Sequence, residues 1–374
     1  MHARSLVCAG RNLSQGSGMR QSEANLALSP YGYGVEFEGL TKDEPFFWMG
    51  GRLAYGLEEI SHDPSCLDTP GFWAAYSTFE GVWTCARFSR VITASLPDAQ
   101  DEWRPISTAW KSSLSERDYV EYVKEIQNQI AQGWVYQVNA CRQVSTPMLE
   151  QTLLPLMHEI LRKNPAPFSS FLRLPHIEIA SASPELFLKR DGSMATSAPI
   201  KGTKLPGSDD VPFGSKDTAE NIMIVDLIRN DLGRICKTGS ISVPRLLETQ
   251  PHPGLSHLVS YVEGSLRDEI TWQEISDALL PPGSVSGAPK SSAVSTIKDL
   301  EGESRGPYCG ALGWVEGQQA LLSLAIRIFW SENDGMLRFG TGAGITWGSD
   351  PDSEWEETEL KARRLVAIAN GEIS

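Results

Sequence analysis

Lys216-Asp217-Thr218-Ala219-Glu220-Asn221-Ile222-Met223-Ile224-Val225-Asp226-Leu227-Ile228-Arg229-Asn230-Asp231-Leu232-Gly233-Arg234 is the stretch that decides the fold. Ile222, Met223, Ile224, Val225, Leu227 and Ile228 spread almost all round a helical wheel. The pattern predicts a long helix over 216–233 that is buried in a larger body. Asp217 and Glu220 share one face near its start, and Met223 and Leu227 continue the row, so a carboxylate there is expected to point inward. Acids in a first turn also favour the helix dipole by about 0.3–1 kcal/mol each, which is the ordinary reading. The last helix, expected over 352–369, repeats the arrangement: Glu354, Glu357 and Lys361 lead into Leu365 and Ile368. An i,i+4 Glu–Lys pair and the dipole would account for that stripe alone. Two helices that both aim paired carboxylates at an interior are better explained together. Buried anions need a cation, and oxygen-only ligands suit Mg²⁺.

Upstream, Lys201 lies in Ala198-Pro199-Ile200-Lys201-Gly202-Thr203, after Ser183-Pro184-Glu185. Pro199 and Gly202 bracket the lysine, so its backbone is expected in a turn. Alone it reads as a solvated loop lysine. Beside Ala198 and Ile200 it is expected to be partly dry; desolvation lowers an amine's pKa, and the neutral amine is a nucleophile.

Outward from these segments, grouped strands are interrupted by helices, which predicts an α+β fold rather than regular βαβ units. Short strands are expected at Val35–Leu40, Phe46–Met49 and Val82–Phe88, and 93–112 as a connector. Ser115 caps a helix that Gly133 ends. A strand over 135–146 and a helix over 153–161 come next, then strands over 168–174, 177–181 and 186–189. A strand over 257–266 precedes the capping box Thr271-x-x-Glu274. Pro289 opens a helix to Leu300, followed by strands near 308–315, 320–330 and 336–341.

Gly340-Thr341-Gly342-Ala343-Gly344 reads as a glycine-rich loop after a strand. It lacks the third glycine spacing and immediate helix of a dinucleotide fingerprint, but its amides could cradle a carboxylate. Pro282 to Lys290 reads as a tight strand-to-helix turn without the Gly-Lys-Ser/Thr of a P-loop. Arg327 is a charge inside an apolar strand, where an anionic partner would satisfy it. His257 opens a strand, a position more often structural than catalytic.

The chain has 374 residues, 41% of them hydrophobic, with a net charge of −14 and a mean hydropathy of −0.23. That allows a packed core and argues against a nucleic-acid or anionic-membrane partner. Cys8, Cys66, Cys85, Cys141, Cys236 and Cys309 show no Cys-x-x-Cys spacing and read as reduced core residues of a cytoplasmic protein. Leu6–Gly10 is too short for a signal-peptide core, and no run approaches the ~20 apolar residues of a membrane span.

Together these segments resemble the chorismate-utilising enzymes over about residues 115–370. The resemblance rests on the helix motif quoted first, on Ser286-Gly287-Ala288-Pro289-Lys290, on Arg305-Gly306-x-Tyr308-x-Gly310, and on Gly342-Ala343-Gly344-Ile345 followed by Glu354-x-x-Glu357-Thr358. It implies a large α/β/β/α assembly, two packed mixed or antiparallel sheets with outer helices, with Mg²⁺ and chorismate between the layers. Residues 1–110 would then be a strand-rich portion integrated with the core, and 111–374 the chorismate-binding catalytic domain. Two positions separate the branches. Isochorismate and salicylate synthases place a water-activating lysine where this chain has Gln137, which cannot act as a base. Anthranilate synthases usually have Ala at the position of Lys201 and His at that of Asn221. Lys201 and Tyr136-Gln137-Val138-Asn139 resemble the aminodeoxychorismate synthase branch, component I.

That branch implies amination of chorismate to 4-amino-4-deoxychorismate, on the way to para-aminobenzoate and folate, through a covalent Lys201 intermediate. Glu185 would be the proton donor, and His257, also counted among the catalytic side chains, would line the ring site with Thr203 and Ser284. Tyr308, Arg327, Lys361 and the amides of Gly342, Ala343 and Gly344 would bind carboxylates, with Gln137 nearby. Glu220 and Glu357, assisted by Asp217 and Glu354, would hold Mg²⁺. The alternatives are anthranilate synthase component I and an inactive chorismate-binding or glutaminase-partner subunit. No cysteine lies in a Gly-x-Cys-x-Gly elbow, Cys8 and Cys309 coming nearest, so ammonia from glutamine would need a separate glutamine amidotransferase subunit, component II. The chain departs from the pattern at Ser284, where Thr is common, at Gly348-Ser349, where Asp-Ser is usual, and in lacking the Leu-Leu-Glu-Ser-like string of feedback-inhibited members.

Overall fold

Phe46-Phe47-Trp48-Met49 shows how the strands divide the core. Side chains alternate across a strand, so Phe47 and Met49 join one apolar cluster and Phe46 another. The computed structural model describes residues 39–148, 150–204, 213–252 and 255–373, and Leu40–Ser374 form one unit. The strand expected at Val35–Leu40 lies outside the described residues except its last two positions, which are not in a strand.

Among the described residues the strands form one 18-stranded sheet with every pairing antiparallel. From one edge the order is Gln137–Pro147, Met336–Ile345, Ile328–Ser331, Ile177–Ser183, Phe168–Leu174, Phe46–Met49 and Arg52–Ser61. It continues through Trp83–Thr93, Phe72–Ser77, Ala311–Glu316, Gln319–Leu324, Leu186–Asp191, Met194–Ala198, Leu255–Ser265 and Ser242–His252. Ile200–Lys204 also pairs with Leu255–Ser265, and Gly287–Ala288 and Lys111–Ser112 pair with Gln137–Pro147. The sheet curls, and two of the chain segments that cross between its halves bear on the site. One turns at Ser183-Pro184-Glu185 and the other at Ala325-Ile326-Arg327.

Among the described residues seven α-helices pack on this sheet: α1 (Glu116–Ala131), α2 (Leu154–Lys163), α3 (Ser215–Gly233), α4 (Trp272–Leu279), α5 (Gly283–Ser286), α6 (Lys290–Leu300) and α7 (Pro351–Ala369). The Ser115 side chain accepts from Asp118 N at the start of α1, and the Thr271–Glu274 capping box opens α4. Asp350 caps α7, with Pro351 in its first turn. Strand residues from both halves, such as Leu172, Ile179, Leu312 and Trp314, meet in the central cluster with Tyr119, Val123 and Ile126 of α1. On the opposite face of one half, Trp73, Leu188 and Leu322 pack on Ile224, Ile228 and Leu232 of α3 and Ile275 of α4. On the other half, Phe171, Phe329 and Phe339 pack on Met157 and Ile160 of α2 and Leu365 and Ile368 of α7.

The α+β content and packed antiparallel strands agree with expectation, and the two expected sheets are hydrogen-bonded into one. Several local expectations change. The strand read over 320–330 breaks before Arg327, whose φ is +54. The glycine-rich loop is the end of a strand, Met336–Ile345. Lys201 stands on a strand rather than in a turn. Met194–Ala198, Ile200–Lys204 and Ser242–His252 are strands that the sequence pattern did not mark. Helix α3 is not buried all round, since Ile222 is 42% exposed. Among the described residues no helix is long and apolar enough to cross a membrane.

Candidate active site

Glu185 sits at one crossing of the curled sheet. Its carbonyl accepts from Leu324 N at 3.0 Å, and its own amide donates to Ser183 Oγ at 3.3 Å. The side chain is buried, with the Ser284 hydroxyl and the Ile200 amide as polar neighbours and Lys201 and Arg327 as charged ones. Burial pushes the carboxyl up to about 7, although those neighbours all pull it down. A carboxylic acid near neutrality can hold a proton and release it at working pH. Arg327 stands at the other crossing, where its carbonyl accepts from Ala182 N at 3.0 Å. Burial holds its guanidinium below the ordinary value, and Glu185 opposes that shift.

Lys201 follows from the pairing of Ile200–Lys204 with Leu255–Ser265. Its Nζ donates to Ser284 O at 3.4 Å. Ser284 therefore meets both groups, with its hydroxyl toward Glu185 and its carbonyl toward Lys201. It lies on α5, a single turn wedged between α3 and the first residues of Gln137–Pro147. A Cβ on Gly283 would touch Leu227 and Asp231 of α3, at 3.4 and 3.6 Å. Gly287 has φ +142, and a Cβ there would lie 2.1 Å from Gln137 O, so only glycine allows the backbone to approach this strand. A small buried cavity on the α3 side is lined by Glu185, Ser197, Asp231, Gly283, Ser284 and Leu324. Asp231 is held there by Lys290, at 2.6 Å.

A second group forms along the facing strands Gln137–Pro147 and Met336–Ile345. Gly340, Gly342 and Gly344 alternate on one face. A Cβ at these positions would strike the Tyr308 ring at 2.1 Å, Cys141 Sγ at 2.6 Å and Gln137 Nε2 at 2.5 Å, respectively. The glycines thus make room for side chains of the site. Ala343 is buried on the other face. Gln137 is buried, and its Oε1 has no hydrogen-bond partner among the described residues. Burial pushes the Tyr308 hydroxyl well up. Lys361 donates to Gly342 O at 3.0 Å and pairs with Glu357 at 2.6 Å. Cys141 and Cys309, distant in sequence, are neighbours beside Tyr308, and Cys66 likewise meets Cys85.

His257 is buried on Leu255–Ser265, directly across from Thr203. Thr203 is described only through its backbone.

Of the carboxylates on α3 and α7, Glu354 is buried as expected and Glu220 and Glu357 are less buried than expected. The buried row of α3 runs through Asn221, Ile224, Ile228 and Leu232; Asp217, four residues before Asn221, leads into it half-buried, and Glu220 is half-buried on its flank. Asp217 lies beside Gly202, where a Cβ would come within 3.2 Å of it. Asn221 bridges Leu258 O at 3.2 Å and Ser260 Oγ at 2.5 Å. The buried row of α7 is Glu354, Thr358, Ala362 and Leu365, with Glu357 and Lys361 on its open side. Among the described residues no three His, Cys, Asp or Glu side chains are gathered to hold a metal ion. The donors are nevertheless hard carboxylate oxygens, and Mg²⁺ is commonly held by one or two carboxylates together with substrate oxygens rather than by an all-protein cage. The donor set fits that mode.

The sequence patterns did not single out Arg305, Glu301 or Asp231 as parts of this neighbourhood. The signal was present, since Arg305 opens a quoted motif and Asp231 lies within another.

A family model described as chorismate binding enzyme matches residues 84–367. The chain is 34% identical over 266 residues to anthranilate synthase component 1 of Saccharolobus solfataricus, covering 68% of this chain and 63% of that protein. It is equally 34% identical over 271 residues to aminodeoxychorismate synthase component 1 of Escherichia coli, covering 70% of this chain and 59% of that protein. The match therefore spans less than two thirds of the length of these curated relatives. In structure, anthranilate synthase component I from Streptococcus pneumoniae superposes with a TM-score of 0.71 at 22% identity, over 92% of this chain and 95% of that one. A putative 2,3-dihydroxybenzoate-specific isochorismate synthase from Bacillus anthracis superposes with a TM-score of 0.74 at 20% identity, over 89% of this chain and 98% of that one. These two likenesses concern the fold.

Proposed function

The chain belongs to the chorismate binding enzyme family, and on that premise we propose that it aminates chorismate with ammonia to 4-amino-4-deoxychorismate through Lys201. The observation that carries the reading is the sharing of Ser284 by Lys201 and Glu185. A nucleophile and a proton donor held by one residue are set to act on the same ring.

The Lys201 amine adds at ring position two of chorismate. The ring double bonds shift, the bond from carbon four to its hydroxyl breaks, and Glu185 supplies the proton that lets the hydroxyl leave as water. Ammonia then attacks carbon four, the double bonds return, and the carbon–nitrogen bond to Lys201 breaks. The enolpyruvyl group is retained. The net change is chorismate plus ammonia giving aminodeoxychorismate plus water. Tyr308, Arg327, Lys361 and the amides of Gly342, Ala343 and Gly344 orient the two carboxylates, and His257 and Thr203 border the ring. Glu220 and Glu357, with Asp217 and Glu354 beside them, would hold Mg²⁺, which neutralises the ring carboxylate when bound. Local cations of this kind reconcile a dianionic substrate with a chain of net charge −14. The α/β/β/α layering is supported by the central cluster between strand faces and by the two outer clusters under helices.

Anthranilate synthesis is the second reading, because relatives of that name match at the same identity. Chorismate supplied with ammonium and Mg²⁺, with products resolved by mass, separates the two. Aminodeoxychorismate supports the proposal; anthranilate alone overturns it.

A further inference from the structure

We propose that Arg305 is a positioning residue of this site, fixing the turn that carries Ser284 against the strand that carries Gln137. The inference rests on the amination reading. Arg305 is 2% exposed. Its Nη1 donates to Val285 O at 2.8 Å, and its Nη2 to Asn139 O at 2.7 Å. Val285 immediately follows Ser284 on α5, and Asn139 lies two residues beyond Gln137 on the same strand face. One guanidinium thus spans the two groups of side chains described above.

The arginine is itself held on every side. Nε and Nη2 donate to Glu301 at 2.7 and 2.6 Å, its backbone amide donates to Glu80 at 2.7 Å, and the Phe79 ring lies 4.1 Å beneath it. Glu301 is also occupied by the Tyr122 hydroxyl at 2.9 Å and Cys141 N at 3.0 Å. A buried ion pair is a poor way to gain stability, because desolvation of both charges offsets their attraction. Apolar side chains could fill the same space. What they could not supply is two donors aimed at carbonyls on different elements, and the planar guanidinium fork holds those donors at fixed angles, whereas a lysine ammonium is a rotating point charge. The far end of the same turn is anchored by Lys290, which binds Asp231 at 2.6 Å and the carbonyls of Ala278 and Leu279, each at 3.3 Å. With one end fixed, releasing Val285 lets α5 pivot, and the Ser284 hydroxyl and carbonyl move together. Displacements near 1 Å of groups that orient a reaction can lower its rate about a hundredfold.

The test compares wild type, Arg305→Lys, Ser284→Ala and the double variant, using chorismate, ammonium and Mg²⁺, with melting curves confirming the fold. We expect Arg305→Lys to lower kcat about tenfold or more while the KM for chorismate changes little, a split that general loosening would not produce. The double variant should be no slower than the slower single variant, since both act through one contact. The alkaline limb of kcat should move to higher pH in Arg305→Lys, because the Ser284 hydroxyl lowers the Glu185 value. The other groups facing Glu185, namely Lys201, Arg327 and Asp231 across the cavity, are unchanged in this variant. Losses that multiply in the double variant, or an effect confined to KM, would overturn the role. Should Arg305→Lys not fold, Glu301→Gln replaces it, with the same non-additivity expected and multiplied losses again decisive. Failure of the wild type to make any aminated product would overturn the underlying reading instead.

Discussion

The Ser284 hydroxyl neighbours the Glu185 carboxyl in one cavity, while the carbonyl of the same serine accepts from Lys201 at 3.4 Å. Both reacting groups of the proposed mechanism therefore depend on one turn of helix. The turn stays in place through a glycine against Gln137, a lysine at one end and an arginine at the other.

The first prediction concerns pH. Burial raises Glu185 to about 7, so the protonated form is abundant below neutrality and is lost as pH rises through that value. With free ammonia held constant, kcat should fall above about pH 7, and Glu185→Gln should lose roughly 10²–10⁴ of the rate. A rate profile flat from about pH 6 to about pH 8.5 would remove Glu185 as the acid.

The second concerns packing under the site. A Cβ at Gly340 would lie 2.1–2.5 Å from three atoms of the Tyr308 ring. Gly340→Ala should cost about 1–3 kcal/mol by overpacking and weaken chorismate binding by displacing that ring. Gly348→Ala, with nothing within 4 Å of the new atom, serves as the control. Equal melting temperatures for the two variants would show that Tyr308 moves aside freely.

The third concerns the metal. Glu220→Gln and Glu357→Gln each remove a ligand charge without removing volume, so the fold should survive while Mg²⁺-dependent turnover is lost. Full activity in EDTA would leave these carboxylates with helix-dipole and ion-pair roles only.

The fourth concerns nitrogen. The purified chain should use ammonium salts alone, and glutamine only after a glutaminase subunit is added. Sustained product from glutamine as sole nitrogen source would refute this and imply a glutaminase site within the chain.

Helices with strong caps were legible in the sequence: Ser115 and the Thr271–Glu274 box each mark a start found in the structure. Short-range side-chain chemistry fixes those boundaries. What was not legible depends on distant strands. Lys201 is held in a strand by pairing with Leu255–Ser265, which no local pattern near Pro199 and Gly202 could announce. Gly340, Gly342 and Gly344 look like a loop because glycine is a poor strand former; their reason is the space taken by Tyr308, Cys141 and Gln137. The inward face of α7 was misjudged by one row. Heptad-like spacing allows either Glu357 and Lys361 or Thr358 and Ala362 to face the core, and contact with Arg142 and Thr341 decides for the second. Arg305 binds carbonyls far away in sequence, so its importance shows only in three dimensions.

The central claim is that Lys201 bonds to the ring. The most direct measurement is intact protein mass after adding chorismate and Mg²⁺ without ammonia. The wild type should gain the mass of chorismate less one water, with the adduct mapping to the peptide containing Lys201. Lys201→Ala should gain nothing and form no aminodeoxychorismate, though ammonia reaching position two in the vacated space could then yield anthranilate. Wild-type turnover to aminodeoxychorismate by Lys201→Ala would contradict the covalent account.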